Sequence, residues 1–308
     1  MKIRKLEYHG RETYAVFYGD GFVLKRPLPN FGPEAQQNWL KKQHKTQNNI
    51  NEIRSIKNPA YNVPEMIHIN DDELQVLEER APGFHLTRDL YRGLARRQRF
   101  EIANGIASFL VDMNELKPVK DLVSPPHKIS KDIKFAKFEN FVENKMEKFF
   151  YKNEIKYMIK LKQGIESFEY QTREAWSHGD LNSGNVLYDP ETSKLSFIDF
   201  AEAGYKLIYN DIFAPLQVEL GISKHVYEIY SRFHDKSKFI MPGIRNDSLQ
   251  EIMKYKIMTI YLKRFIKAAE DLRLNPVGQK GLGNNVNKIR FMKEQIQNFQ
   301  NLEKQFTK

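Results

Sequence analysis

Apolar and polar residues alternate with a period of two over residues 1–27. Residues 14–18 and 22–25 are rich in β-branched and aromatic side chains, and the Gly-Asp-Gly sequence at 19–21 lies between them. Glycine and aspartate tolerate the positive φ angles of a tight turn between two strands. The pattern therefore predicts three antiparallel strands, followed by one or two helices over the polar residues 34–56.

A second pair of short apolar runs spans residues 63–69 and 73–77. The Asn-Asp-Asp sequence at 70–72 separates them and predicts a second hairpin. The sequence Arg-Ala-Pro-Gly at 80–83 is typical of a linker. A small unit rich in β-structure is thus expected to end near residue 83.

The period changes to that of a helix from Thr87 onward. A broad apolar face between Phe100 and Met113 predicts a buried helix. Residues 129–165 place aromatic side chains at three- and four-residue steps between many lysines, which predicts a core-facing stripe with a solvated basic face. Residues 207–308 are also predicted to be mostly helical, with breaks at Pro215, Pro242 and Pro276.

The composition is that of a globular protein, since 41% of the 308 residues are apolar and 29% are charged. There is no cysteine, which excludes disulfides and thiolate metal sites. No segment has the long apolar run of a secretory signal or of a membrane span, so a soluble, cytoplasmic protein is expected. The net charge of +10 could attract phosphate-bearing molecules, but it does not identify a partner.

The chemistry is concentrated in one segment, His178-Gly179-Asp180-Leu181-Asn182-Ser183-Gly184-Asn185, which precedes two β-prone runs and the sequence Ile198-Asp199-Phe200. If residues 185–188 and 195–198 pair as a hairpin, the residue that enters the first strand and the residue that leaves the second lie at the same end. The amide oxygen of Asn185 and the carboxylate of Asp199 would then be close together, and such oxygen ligands suit Mg²⁺. Asp180, five residues before Asn185, could accept the proton of a hydroxyl nucleophile.

Two other roles for residues of this chain, and a chance origin of the motif, are less favoured. Ser183 lacks the Gly-x-Ser-x-Gly turn of a serine nucleophile. The histidines other than His178 have no zinc-like spacing, so a zinc site is not expected. The combined motif could also arise by chance on an ordinary hairpin, but its five fixed positions make this improbable.

The motif resembles that of the aminoglycoside phosphotransferase and choline kinase family, which has a protein-kinase-like fold. Protein kinases themselves usually have Arg where this chain has Gly179. The resemblance implies an α+β, bilobal fold with a small antiparallel-sheet N-terminal lobe and a larger, mainly helical C-terminal lobe. The implied lobes are residues 1–80, which bind nucleotide, and residues 81–308, with a hinge at about 78–83.

The resemblance also assigns residues to the nucleotide. Lys25 matches the third-strand lysine that holds the α- and β-phosphates. Its carboxylate partner is expected to be Glu52, with Glu34 as the competitor. Backbone groups of the hinge, at Glu79 and Ala81, are expected to contact adenine.

Two supporting residues follow from the same resemblance. His178 is expected to orient the loop rather than to take part in the reaction, and Asp211 is expected to fix the loop by hydrogen bonds, although from sequence alone Asp211 could be a helix N-cap. The phosphate-covering loop contains only Gly10, so backbone amides or Thr13 would have to reach the phosphates.

The resulting prediction is an ATP-dependent phosphotransferase that uses Mg²⁺ and moves the γ-phosphoryl group to a hydroxyl of a small molecule. Residues 201–308 carry 18 Lys and Arg against 11 Asp and Glu, which mildly favours a neutral or anionic acceptor. Glu202, Glu219 and Asp235 could still form a local cation site, so amino alcohols, sugars and aminoglycosides all remain open.

Other classes of function remain open as alternatives. A kinase acting on proteins and a catalytically silent binding protein would both keep the fold. A basic surface over residues 117–162 could bind nucleic acid or anionic lipid, which is less favoured because the aromatic residues there line up on one helical face. The oligomeric state is not predicted.

Overall fold

The computed structural model describes residues 3–7, 14–28, 30, 32–120, 126–128, 133, 135–144, 146–170, 172–233, 246–274 and 282–306. The chain forms two compact units. The first comprises Met1–Asp121 and Arg173–Phe239, and the second comprises Leu122–Thr172 and Ile240–Lys308. All candidate site residues belong to the first unit. The division into residues 1–80 and 81–308 stays a prediction.

The secondary-structure elements, in chain order, are β1 (Ile3–Glu7), β2 (Tyr14–Gly19), β3 (Phe22–Pro27), α1 (Pro33–Arg54), β4 (Tyr61–Asn62), β5 (Met66–Asn70), β6 (Gln75–Glu79), β7 (Phe84–His85), α2 (Arg88–Gly93), α3 (Arg96–Glu115), β8 (His127–Lys128), α4 (Phe135–Asn144), α5 (Lys152–Ser167), β9 (Glu169–Tyr170), β10 (Glu174–Ser177), β11 (Val186–Asp189), β12 (Lys194–Phe197), β13 (Gly204–Leu207), α6 (Tyr209–Ile212), α7 (Pro215–Leu220), α8 (Ser223–Phe233), α9 (Asn246–Leu274) and α10 (Leu282–Phe306). Short 3₁₀ turns at Met146–Lys148 and Phe200–Glu202 complete the set.

The N-terminal part of the first unit is an antiparallel sheet of five strands in the order β1-β2-β3-β6-β5. Gly21, with φ of +77°, lies in the turn between β2 and β3, where its lack of a Cβ removes the steric cost of this conformation. Both hairpins predicted from the sequence are present. The predicted linker at residues 80–83 follows directly after β6.

The rest of the first unit is built on α3 and a second sheet in the order β4-β12-β11-β7. Phe109 of α3 stacks on Phe197 of β12 with 3.7 Å between ring centroids, and Tyr61 meets both rings edge-on. The broad apolar face of α3 is buried, as the sequence predicted. This aromatic core lies directly beneath the loop that follows β10, because it also contacts the ring of His178.

The second unit is mainly helical. Helices α9 and α10 pack together, and the unit also contains α4, α5 and the short β8–β9 pairing. Phe138 and Phe141 of α4 are buried and approach Phe265 with centroid distances of 6.2 and 5.9 Å. These positions confirm the core-facing stripe. Phe149, an aromatic residue within the 129–165 stripe predicted from the sequence, is instead 36% exposed because it lies after a 3₁₀ turn that interrupts the helical spacing.

The predicted α+β class is confirmed, with an antiparallel sheet in the N-terminal region and helices towards the C-terminus. The break at Pro215 is confirmed, because this residue begins α7. Pro242 and Pro276 lie outside the described residues. Within the described part of the chain, no helix combines the length and the apolar character that crossing a membrane requires.

Candidate active site

The β11–β12 hairpin brings the two candidate metal ligands to one end. Val186 pairs with Phe197 in the ladder, and beyond this pair the N–H of Ile198 donates to the carbonyl oxygen of Asn185 at 3.0 Å. Asn185 therefore precedes the first strand at the point where Asp199 follows the second. This is the placement that the turn between the two β-prone runs predicted.

Asp180 and Asn185 are joined by direct hydrogen bonds. The Nδ2 group of Asn185 donates to Oδ2 of Asp180 at 3.0 Å and to the Asp180 carbonyl oxygen at 2.8 Å. Asn182 donates to the other carboxylate oxygen, Oδ1, at 3.0 Å. The amide nitrogen of Asn185 is thus committed to Asp180, which leaves its Oδ1 as the atom available to a cation.

A buried carboxylate holds the beginning of the 178–185 loop. Asp211 is 2% exposed and accepts hydrogen bonds from the backbone N–H of His178 at 2.6 Å and from that of Gly179 at 3.2 Å. Gln217 donates to the Asp211 carbonyl oxygen at 2.8 Å. Burial raises the pKa of the Asp211 carboxyl above its usual value, while the two backbone N–H groups that donate to it oppose this rise.

The geometry of Asp211 decides between the two interpretations of this residue. It lies within α6, whose N-cap is Ile208, so the helix-cap interpretation is wrong. Its carboxylate instead accepts hydrogen bonds from loop N–H groups that lie 33 and 32 residues earlier in the sequence. The carboxylate of Asp211 therefore contacts the 178–185 loop directly.

His178 is fully buried and has a positioning geometry. Its Nε2 atom lies 3.0 Å from the carbonyl oxygen of Ile198, and its Nδ1 atom lies 3.4 Å from the backbone N of Asp180. Since a carbonyl only accepts and a backbone N–H only donates, these partners assign the proton to Nε2. The imidazole thereby links the Asp180 loop to the residue before Asp199.

Only glycine fits the steric requirement at position 179. Its φ is +83°, and a Cβ at this position would lie 2.5 Å from the carbonyl oxygen of Glu202. Asp199 also has a left-handed backbone, with φ of 61° and ψ of 67°. For a non-glycine residue this conformation costs about 1 kcal/mol, and such strain often accompanies a functional side chain.

The structure gives Lys25 a different partner from the one expected. Its Nζ lies 2.8 Å from both Oε1 and Oε2 of Glu78, on the neighbouring strand β6. Glu52 pairs instead with Lys117, at 2.8 Å. Glu34 lies in the exposed first turn of α1.

Glu52 does not meet Lys25 because of the rotation of α1. This rotation determines which face of the helix is directed towards Asp199, the second candidate metal ligand. On that face Lys42 pairs with Glu202 at 2.8 Å, and Asn49 donates to the carbonyl oxygen of Phe200 at 3.2 Å. Glu52 lies one turn further on, near the end of the helix, where its side chain reaches Lys117, two residues after the end of α3. Helical periodicity alone could not distinguish these faces.

The predicted hinge residues lie at the end of β6. The N–H of Glu79 donates to the carbonyl oxygen of Glu65 at 2.7 Å, and the N–H of Arg80 donates to Gly21 at 3.0 Å. The N–H of Glu79 is therefore occupied within the sheet, and its carbonyl is the group through which this residue could contact a base. Ala81 follows two residues later, before Gly83 and β7.

Two further residues belong to this region but had no predicted side-chain role. Glu78 is one. Leu187 is the other: it is half-buried between the fully buried Val186 and Tyr188, so it shares the strand face of Asn185. The two-residue alternation of side-chain direction along this short strand was the signal that could have identified Leu187. The phosphate-covering loop, including Gly10 and Thr13, lies outside the described residues.

The family assignment follows from a comparison with protein-family models. Residues 9–221 match the model described as the phosphotransferase enzyme family. The chain belongs to this phosphotransferase family. The match extends from the N-terminal sheet through the 178–185 loop to the end of α7, and so it includes every candidate site residue.

Solved structures with a similar fold also include members of the group named by the resemblance. The GDP complex of wild-type aminoglycoside 2'-phosphotransferase-IIIa is 14% identical, with a TM-score of 0.62 and coverage of 97% of this chain and 94% of that chain. A choline/ethanolamine kinase family protein from Mesorhizobium loti is 13% identical, with a TM-score of 0.55 and coverage of 97% and 88%. At these identities the likeness concerns the fold alone. A comparison with curated protein sequences gave no match.

Proposed function

We propose that this phosphotransferase moves the γ-phosphoryl group of ATP to a hydroxyl group of a small molecule. The observation that carries the proposal is the joined pair of Asp180 and Asn185, held by Asp211 at the end of the hairpin that leads to Asp199. Such an arrangement combines an acid–base group with oxygen ligands for a cation. These are the parts that phosphoryl transfer requires.

Asp180 is the proposed base. The acceptor hydroxyl oxygen bonds to the γ-phosphorus, and the bond from that phosphorus to the β–γ bridging oxygen breaks. The hydroxyl proton passes to a carboxylate oxygen of Asp180, and the bridging oxygen leaves with the nucleoside diphosphate. Hydrogen bonds from Asn182 and Asn185 hold the carboxylate in one orientation, which supports this role because positioning supplies much of the rate.

Asn185 and Asp199 are the proposed ligands of Mg²⁺. Their donor set of one amide oxygen and one carboxylate fits a hard cation that retains water or phosphate oxygens in its remaining positions. When bound, Mg²⁺ would neutralise charge on the phosphate oxygens. Among the described residues no group of three or more His, Asp or Glu side chains could hold a metal ion, so water or phosphate oxygens would complete the coordination.

The proposed nucleotide contacts come from the N-terminal sheet. Lys25 would hold the phosphates, and the backbone of Glu79 and Ala81 would contact adenine. Among the structures similar in fold, aminoglycoside 2'-phosphotransferase-IIIa forms a complex with GDP, and another aminoglycoside phosphotransferase, of TM-score 0.53, forms one with ATP and streptomycin. The choice of ATP over GTP is therefore part of the proposal.

The proposed acceptor is an amino alcohol, a sugar or an aminoglycoside-like compound. Another aminoglycoside phosphotransferase similar in fold forms a complex with GDP and kanamycin, with a TM-score of 0.60 and 14% identity over 99% of this chain and 95% of that chain. The basic surplus of residues 201–308 mildly favours a neutral or anionic acceptor over a polycation.

Release of nucleoside diphosphate tests the proposal directly. The purified chain is incubated with ATP or GTP and Mg²⁺ and with aminoglycosides, amino alcohols, sugars, nucleosides and generic proteins in separate reactions. We expect acceptor-dependent release with at least one small molecule, and loss of that release in Asp180→Asn. Release that depends only on protein substrates would contradict the small-molecule acceptor, and a wild-type chain that binds no nucleotide would contradict the proposed activity as a whole.

A further inference from the structure

Lys25 and Glu78 form a close, two-pronged ion pair within the N-terminal sheet. The Nζ atom lies 2.8 Å from each carboxylate oxygen, and both side chains are only 16% exposed. Hydrogen bonds between charged groups in such a protected place are stronger than those on an open surface. The pair therefore fixes the direction of the lysine side chain.

The register of the sheet explains why these two residues meet. Lys25 of β3 lies opposite Val76 of β6, and Val23 lies opposite Glu78. Alternate residues of a strand face the same side, so Lys25 and Glu78 are diagonal neighbours on one face. Both are anchored to adjacent strands of a single sheet.

The carboxylate expected from α1 is engaged elsewhere. Glu52 pairs with Lys117, and the face of α1 that reaches the Phe200–Glu202 turn presents Lys42 and Asn49. That helix face therefore presents an ammonium group and an amide, whereas a partner for Lys25 would have to be a carboxylate.

We propose that Glu78 is a positioning residue for the phosphotransfer reaction, because it aims the Lys25 ammonium group at the nucleotide phosphates. This inference rests on the proposed function, in which Lys25 holds those phosphates. Since both members of the pair lie in the sheet, the position of Lys25 is set by strand register and does not depend on the position of α1.

The direction in which nucleotide affinity changes when Glu78 is replaced distinguishes this positioning role from a purely electrostatic one. If Glu78 acted only through its negative charge, its removal would strengthen the binding of an anionic nucleotide. If it aims Lys25, its removal lets the long lysine side chain occupy more rotamers, and binding weakens because that added freedom is lost again when phosphate binds.

The test measures the affinity of a fluorescent ATP analogue with Mg²⁺ and without any acceptor. The chains compared are the wild type, Lys25→Met, Glu78→Gln and the double variant Lys25→Met with Glu78→Gln. We expect Glu78→Gln to weaken binding about tenfold, which is the size of one charged hydrogen-bonding interaction. We expect the double variant to bind no more weakly than Lys25→Met, because Glu78 acts through Lys25.

Three further variants complete the design. Glu78→Asp retains the charge on a shorter side chain and should recover part of the affinity. Glu73→Gln makes the same chemical change at an exposed position of the β5–β6 turn and should bind as the wild type does. Glu52→Gln removes the competing carboxylate, and a tenfold loss there with no loss in Glu78→Gln would overturn the inference. Thermal unfolding of each variant monitors folding.

Unchanged or tighter binding by Glu78→Gln would also overturn the inference while leaving the proposed function intact. Strictly additive losses in the double variant would have the same meaning, since they would show that Glu78 affects binding independently of Lys25. A wild-type chain that binds no nucleotide would instead refute the proposed function itself, and the inference with it.

Discussion

The 178–185 loop and Lys25 are held in place by different kinds of contact. The loop is fixed through its backbone, because two consecutive N–H groups donate to the buried carboxylate of Asp211 and the imidazole of His178 connects the loop to Ile198. Lys25 is oriented through its side chain, which pairs with the carboxylate of Glu78 on the next strand. A substitution at Asp180 should therefore change the chemistry and leave the geometry intact, whereas one substitution at Glu78 should change the geometry of Lys25.

The largest effect is expected at Asp180. Replacement by asparagine removes the proposed proton acceptor but keeps the size of the side chain in a loop whose backbone is held independently. We expect kcat to fall about 10³-fold, which is within the usual contribution of a general base. Steady-state kinetics measure this loss, and calorimetry should find the nucleotide affinity within about twofold of the wild type, well under the tenfold that corresponds to 1.4 kcal/mol.

Asp189→Asn provides the matched control for this experiment. Asp189 is at the far end of the same hairpin, where its carboxylate accepts from Thr192 Oγ1 at 2.7 Å, and it is remote from the loop. Its kcat should equal that of the wild type. Full turnover in Asp180→Asn would reject the base assignment and with it the contrast between chemistry and geometry.

A smaller loss is expected at Asp199. Replacement by alanine removes the proposed carboxylate ligand, so the part of the nucleotide affinity that depends on Mg²⁺ should fall about 100-fold, or close to 3 kcal/mol. Calorimetric titrations with Mg²⁺ and with EDTA measure this part by difference. If the difference between the two titrations is the same in Asp199→Ala as in the wild type, Asp199 is not a metal ligand.

Backbone geometry gives the next effect. Gly179→Ala introduces a Cβ that would lie 2.5 Å from the Glu202 carbonyl oxygen, at a φ of +83°. The loop must shift to relieve this contact, and we expect the free energy of unfolding to fall by about 2 kcal/mol. Urea denaturation measures the change.

The matched control is a glycine with the same backbone conformation and no close neighbour. Gly21 has φ of +77°, and no atom lies within 4 Å of the position that a Cβ would occupy, so Gly21→Ala carries the conformational cost alone. Gly179→Ala should be the more destabilising of the two. If the two substitutions lower the free energy of unfolding equally, the contact with the Glu202 carbonyl oxygen is relieved without a cost in stability.

The two regions also differ in how far the sequence could predict them. The hairpin that brings Asn185 and Asp199 together depends on contacts between residues close in sequence, and alternation with a turn is sufficient to predict it. The partner of Lys25 lies 53 residues away, and its choice depends on strand register and on the rotation of α1, neither of which a local pattern contains. Two-residue strands such as β4 and β7 were missed for the same reason, because their pairing is set by tertiary contacts.

The smallest effect is expected at Glu52, the residue that the sequence favoured as the partner of Lys25. Its ion pair with Lys117 is partly exposed, with 43% and 31% of the two side chains accessible, so solvent and salt screen it. We expect Glu52→Gln to change the free energy of unfolding by less than about 0.5 kcal/mol, which denaturant titration would detect. Lys117 also lies 3.9 Å from the ring centroid of Trp176, and this contact should keep the lysine in place after the carboxylate is removed. A loss of about 2 kcal/mol or more would show that this pair is a structural link comparable to the Asp211 anchor, and the distinction between backbone and side-chain anchoring would then have to include α1.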